Sequence, residues 1–227
     1  MKNTIAFDIY GTLINTHGLT DILRQHVGNQ ATLLSQLWRQ KQLEYSFRRG
    51  LMQQYRDFAV CTAQALDYAS RSFGISLAEH DADKLLNAYR ALPIFDDVID
   101  GVNNAKNAGF LLYAFSNGKA SDIAALLDHA GISNLFLDII SVDEIQSFKP
   151  DPAVYHHFLA RSSSEAQHTW LVSANPFDVI GASSIGMKSI WLQRSPDLLM
   201  DTWEIEPTIT IHRLTDLAAA ITASTTF

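Results

Sequence analysis

Thr4-Ile5-Ala6-Phe7-Asp8-Ile9-Tyr10-Gly11-Thr12-Leu13 decides how the rest of the chain is read. Thr4–Ile9 is a short apolar run broken only by Asp8. A run of this length and character belongs to a buried strand. Gly11 then supplies a turn. The acid therefore stands at the C-terminal end of a buried strand, the edge of an open parallel sheet where ligands bind.

Working outward, residues from about Gly18 to Leu92 read as almost all helix. Ala31–Arg49 lacks Gly and Pro, and Leu33, Leu34, Leu37 and Trp38 recur at helical spacing. Gly50 is expected to interrupt this helix. Tyr55–Phe73 reads as a second helix stopped near Gly74, and Asp81–Ala91 as another closed by Pro93. After Pro93 the pattern changes. Strands are expected at Phe110–Ser116, Ile139–Val142, Trp170–Ser173, Ser189–Leu192 and Ile209–Ile211. Helices are expected at Asp97–Ala108, at Ala120–Leu127 with Gly131 as its stop, after Asp151-Pro152, at Pro176–Gly186 and at Thr215–Ala223. Ala223–Phe227 reads as a frayed tail. Alternating short apolar strands and amphipathic helices imply an α/β fold, a Rossmann-like parallel sheet with helices on both faces. The helical block interrupts that alternation and is expected to be an inserted cap over the sheet's C-terminal edge. Residues 1–15 and 94–227 are assigned to the core, and 16–93 to the cap.

Composition narrows the partners. The formal charge of −7 disfavours nucleic acid. Cys61 is the only cysteine, so neither an internal disulfide nor a cysteine-based metal cluster is available. The first residues lack the apolar stretch of a signal peptide, and no segment approaches about 18 uncharged apolar residues. A cytoplasmic protein without membrane contact is expected. The histidines show no metal-ligand spacing, and His156 and His157 point in different directions on one helix.

Four polar clusters fall at or just past the ends of expected strands. They are Asp8-Ile9-Tyr10-Gly11-Thr12, Ser116-Asn117-Gly118, Lys149-Pro150-Asp151-Pro152 and Ser173-Ala174-Asn175-Pro176-Phe177-Asp178. Taken singly, each has an ordinary explanation. Asp8 could be turn chemistry, Ser116-Asn117-Gly118 a plain turn, Lys149 a solvated lysine, and Asp178 an acid favoured in a first helical turn. A doubly wound sheet brings all four to one cleft, and the joint coincidence is a poor explanation. There a carboxylate can attack an electrophile and form a covalent ester. A nearby lysine favours its ionised form. Ser and Asn can donate to an anionic group.

These motifs resemble the four motifs of the haloacid dehalogenase superfamily. The likeness is strongest to the L-2-haloacid dehalogenases, because Leu37-Trp38-Arg39-Gln40-Lys41-Gln42-Leu43-Glu44-Tyr45 and Tyr155 also match that subgroup. The resemblance implies that Asp8 attacks the carbon bearing halogen, supported by Thr12, with Lys149 keeping it charged and Tyr155 beside the lysine. It implies that Ser173, Asn175 and Asp178 position Lys149 and the hydrolytic water. Arg39, Asn117 and Phe177 would cradle the halide. Ser116 and the amides of Ile9 and Tyr10 would hold the substrate carboxylate. Tyr10, Gln40, Leu43 and Phe58 would shape the alkyl pocket. The implied partners are a small 2-haloacid and, as in many family members, a second copy of the chain.

Two departures separate subfamilies. The superfamily's phosphatases carry Asp two residues after the nucleophile, where this chain has Tyr10. Their acidic fourth-motif residue aligns with Ala174. Magnesium needs oxygen ligands, usually with carboxylates among them, so neither metal nor cofactor is expected. A phosphatase acting on a small phosphate ester, and a non-catalytic protein that kept the fold, stay open as alternatives. Ile9 stands where Ala is frequent and Phe177 where some members have Trp, which bears on substrate length more than on chemistry. An arginine on an amphipathic helix is ordinarily solvated, so the case for Arg39 rests on its Leu-Trp-Arg-Gln context.

Overall fold

The computed structural model describes residues 3–201 and 203–224. Its first strand, β1 (Thr4–Phe7), is buried at every position. It pairs on one side with β2 (Leu111–Ser116) and on the other with β4 (Thr169–Ser173). β3 (Asp138–Ser141) flanks β2, while β5 (Lys188–Leu192) and β6 (Ile209–Ile211) extend the sheet beyond β4. The order is β3-β2-β1-β4-β5-β6 with every pairing parallel. The chain moves outward from β1 in one direction and later in the other, so the switch point lies between β1 and β4. A crevice opens at such a point, and Asp8 lies at its lip.

Four helices separate β1 from β2's lead-in helix: α1 (Gly18–Val27), α2 (Ala31–Leu51), α3 (Phe58–Ser72) and α4 (Glu79–Tyr89). The core helices are α5 (Val98–Asn107), α6 (Ala120–His129), α7 (Pro152–Ser162), α8 (Pro176–Ser184) and α9 (Leu217–Ser224). α5 packs with α9, and α7 with α8. The two chain crossings between sheet and helical block run side by side. Ile14 bridges Ile94, Asn15 N–H donates to the Pro93 carbonyl at 2.7 Å, and Phe95 N–H donates to that of Leu13 at 3.1 Å. Among the described residues, no helix is long and apolar enough to cross a membrane.

Several expectations need correction. Gly50 does not interrupt α2, which runs on to Leu51. One glycine costs about 1 kcal/mol in a helix interior, too little to end a helix packed along its length on α3. α3 begins at Phe58, not Tyr55, because Asp57 caps it and accepts the Val60 N–H at 2.9 Å. Leu33 is exposed. The inward stripe of α2 is Ala31, Leu34, Trp38, Gln42 and Ser46, at spacings of three and four. Ala223 and Ser224 are still helical, and the rest of the expected tail lies outside the described residues.

Candidate active site

Polar side chains from the turn after β1, from the end of β4 and from the chain before α7 meet around Asp8. The turn after β1 begins the assembly. The Ile9 carbonyl accepts the amides of Thr12, Leu13 and Ile14 at 3.2, 3.0 and 2.9 Å. This fold-back places Gly11 at φ 85°, a conformation that a residue with a Cβ adopts only under strain. It returns Thr12 to the carboxylate, and the Thr12 hydroxyl donates to Asp8 Oδ2 at 2.7 Å. From β4's end, the Ala174 N–H donates to Thr12 Oγ1 at 2.9 Å.

The two oxygens of Asp8 are held unequally. Oδ2 also accepts from Ser173 Oγ at 3.2 Å and Asn175 Nδ2 at 2.8 Å. Oδ1 accepts from Lys149 Nζ at 3.2 Å, its one side-chain donor among the described residues. Lys149 is only 1 % exposed. Its ammonium also donates to Asp178 Oδ2 at 2.8 Å and to the Phe115 carbonyl at 2.9 Å, so all three of its hydrogens are used. Asp178 is fully buried and accepts from the Tyr155 hydroxyl at 2.8 Å. Burial pushes the Asp178 carboxyl up, to about 6, against the pull of the Lys149 ammonium. Burial and the Asp178 charge also hold the Tyr155 hydroxyl well above its ordinary range, so it stays a donor.

The remaining motif residues line the edge of this network. Asn117 Oδ1 accepts the Lys149 backbone N–H at 2.9 Å, and Ser116 Oγ accepts that of Gly118 at 3.1 Å. The backbone N–H groups of Ile9 and Tyr10 make no hydrogen bond among the described residues. Tyr10 turns its ring toward the helical block, with centroids 5.9 Å from Phe58 and 5.3 Å from Tyr89. Burial pushes its hydroxyl up as well. From α2, Arg39 Nη2 reaches Asn175 Oδ1 at 3.4 Å, and Nη1 donates to Gln42 Oε1 at 2.6 Å. Phe177 meets Phe47 edge-on at 5.0 Å and borders an apolar cleft of about 740 Å³ that Lys149 also lines.

The structure thus joins Asp8, Thr12, Lys149, Tyr155, Ser173, Asn175 and Asp178 in one hydrogen-bonded network, with Asn117 and Arg39 attached. Leu43 is half-buried on α2. Gln40 is exposed and borders a cleft that Arg39, Trp38 and Tyr89 also line. Neither these two nor Phe177 makes a side-chain hydrogen bond to the network among the described residues. The buried glutamine is Gln42, which sequence reading passed over. Its signal was its place four residues after Trp38, on the same helix face. Arg194 was also missed. It donates to the Thr12 carbonyl from Nη2 at 2.6 Å and Nε at 3.2 Å, and to Asp97 Oδ1 from Nη1 at 2.6 Å. It lies in irregular chain after β5, and no motif marks it.

Comparison with known proteins gives a consistent result. A family model described as haloacid dehalogenase-like hydrolase matches residues 2–186. The (S)-2-haloacid dehalogenase of Pseudomonas sp. (strain YL) is 33% identical over 220 residues, covering 95% of either chain. (S)-2-haloacid dehalogenase 1 of Pseudomonas sp. (strain CBS-3) is 36% identical over 189 residues, 83% of either chain. The solved L-2-haloacid dehalogenase from Xanthobacter autotrophicus, with chloropropionic acid covalently bound, has a TM-score of 0.92 at 27% identity. That match covers 98% of this chain and 99% of the other.

Proposed function

The chain belongs to the haloacid dehalogenase-like hydrolase family, and we propose that it hydrolyses small (S)-2-haloalkanoic acids to (R)-2-hydroxy acids through an ester on Asp8. The observation that carries this reading is the unequal hold on the two Asp8 oxygens. Oδ1, facing only the lysine, is the freer nucleophile. It attacks C2 in line, the carbon–halogen bond breaks, and the electron pair leaves with the halide. C2 is inverted. Water then attacks the carboxyl carbon of Asp8, and negative charge develops on Oδ2. Thr12, Ser173 and Asn175 already donate there, so stabilisation needs no rearrangement. Collapse expels the hydroxy acid with one proton of the water, the other goes to solvent, and C2 is not touched again.

Lys149 supplies the positive charge beside Asp8, and Tyr155 and Asp178 hold Lys149. Arg39, Asn117 and Phe177 receive the halide. Ser116 and the free amides of Ile9 and Tyr10 receive the substrate carboxylate, while Tyr10, Gln40, Leu43 and Phe58 limit the alkyl group. In this reading residues 1–15 and 94–227 form the catalytic core and 16–93 its cap. The reading extends to a cytoplasmic homodimer that needs neither metal nor cofactor. The phosphatase alternative is weaker, because Tyr10 offers a buried phenol packed on Phe58 and Tyr89 where that chemistry wants a carboxylate.

One turnover of excess enzyme on 2-chloropropionate in ¹⁸O-labelled water tests the ester. Label is expected in Asp8 and not in the first lactate released. Label in that first product would mean direct attack of water on C2 and would remove Asp8 as nucleophile.

A further inference from the structure

We propose that Gln42 is a positioning residue for the halide end of the site: its carboxamide holds the Arg39 guanidinium, and Thr62 and Tyr89 fix which way that carboxamide faces. The proposal rests on the halide role given to Arg39 above and deepens it. Gln42 lies on the inward stripe of α2 and is fully buried. Burying an unpartnered carboxamide is costly, of order 2–7 kcal/mol. Here both polar atoms of the carboxamide have partners. Oε1 accepts from Arg39 Nη1 at 2.6 Å and from the Tyr89 hydroxyl at 3.0 Å, and Nε2 donates to Thr62 Oγ1 at 2.6 Å.

Proton bookkeeping leaves this network one orientation. Thr62 uses its only hydroxyl hydrogen on the Phe58 carbonyl at 2.8 Å, so toward Gln42 it can only accept. Nε2 must therefore face Thr62, and Oε1 must face Arg39. A flipped amide would set two acceptors against each other at Thr62 and two donors against each other at Arg39. The same stretch of α3 also grips α2 through Trp38 Nε1, which donates to the Thr62 carbonyl at 2.9 Å. Tyr89, at the end of α4, stacks on Tyr10 at 5.3 Å. The arginine that reaches the nucleophile's neighbour Asn175 is thus aimed by three cap helices rather than left to rotate in solvent. A guanidinium one ångström out of place stabilises a departing anion far less.

The experiment compares Gln42→Leu, Thr62→Val and Tyr89→Phe with wild type and with Arg39→Lys. Single-turnover release of halide is measured from 2-chloropropionate and 2-bromopropionate, and ester hydrolysis is followed separately. Chloride, the poorer leaving group, depends more on the cation. Loss of aim should slow chloride release roughly ten- to hundredfold and bromide release less. The bromide-to-chloride ratio should therefore rise several-fold, with ester hydrolysis little changed. A merely structural glutamine would lower both halides together. If Arg39→Lys leaves the ratio unchanged, the halide role of Arg39 falls and this proposal with it. If Arg39→Lys shifts the ratio but Gln42→Leu and Thr62→Val do not, the halide role stands and Gln42 is ordinary core. Should Gln42→Leu fail to fold, the near-isosteric Thr62→Val decides alone.

Discussion

The cluster around Asp8 and the cluster around Arg39 are both buried hydrogen-bond networks, but they are built on different principles. The first hangs on backbone. Asp8, Thr12, Ser173 and Asn175 stand at or just past the ends of β1 and β4, neighbouring strands of fixed register, and the partners of Asp8 from farther along, Lys149 before α7, Tyr155 on α7 and Asp178 on α8, close on them. It is also dense in charge, with one ammonium between two carboxylates. The second hangs on helix register. Arg39, Gln42, Thr62 and Tyr89 meet only because three helices present the right faces, and its single cation has neutral partners. A strand-end cluster resists small displacements, whereas a helix-face cluster moves with its helices. On the proposed reading, the first suits a nucleophile that must not shift, and the second a group that closes on a leaving anion.

Removing the charge at the centre of the core network should break the comparison hardest. Lys149→Met leaves Asp8 and Asp178 as uncompensated buried carboxylates. About 3–5 kcal/mol of stability should go, and kcat should fall on the order of 10⁴-fold. Urea unfolding and steady-state halide release check both. A cap change such as Tyr89→Phe should cost much less of either, and equal losses would erase the distinction drawn here.

A smaller effect follows from Gly181 on α8. A Cβ at this position would collide with Tyr155 Oη, so Gly181→Ala should push the phenol off Asp178 at about 1–3 kcal/mol of stability. The pH profile sharpens this. Asp178 must be ionised to hold Lys149, and an acid is ionised above its pKa. Wild-type kcat should therefore decline as pH falls through about 6. The Tyr155 hydrogen bond lowers the Asp178 pKa. Its loss should move the acid limb to higher pH, and an unmoved limb would remove Tyr155 from Asp178's support.

The same contrast explains what was legible in the sequence. Strand-end groups announce themselves, because a continuous apolar run followed by a polar turn gives both the strand and the direction of the side chain. That is how Asp8, Asn117, Lys149 and Asp178 could be assembled before any coordinates. Helix-face groups require the phase of a helix to within about one residue, or about 100° of rotation. α2 carries apolar residues at Leu33, Leu34, Leu37 and Trp38, so its phase is ambiguous in sequence, and nothing there marks Gln42 as the glutamine that turns inward. Arg194 had no periodicity to betray it. It works through the Thr12 carbonyl, a partner whose neighbourhood exists only after folding.

The two regions also touch directly, and there the smallest effect is expected. Asp57 caps α3 through Oδ1 and pairs through Oδ2 with Lys119 Nζ at 2.9 Å. Lys119 lies two residues beyond Asn117, so this pair ties the helical block to the sheet near the residues proposed to receive the halide. Asp57→Ala loses both roles, and a lost cap alone costs about 1 kcal/mol. Asp57→Asn keeps an oxygen for the Val60 N–H and loses only the ion pair. That pair is exposed on the lysine side, so its loss should cost less than the loss of the cap, and salt should shrink the difference further. Thermal melts at low and high ionic strength should show Asp57→Asn converging on wild type while Asp57→Ala does not. Turnover should stay within about twofold for Asp57→Asn, because an exposed pair contributes too little to hold a cap shut. A large fall in kcat for Asp57→Asn at low salt, reproduced in the wild type at high salt, would instead make closure of the helical block a slow step gated by this contact. The rigidity assigned to the core would then matter less to the rate than the mobility of the helices above it.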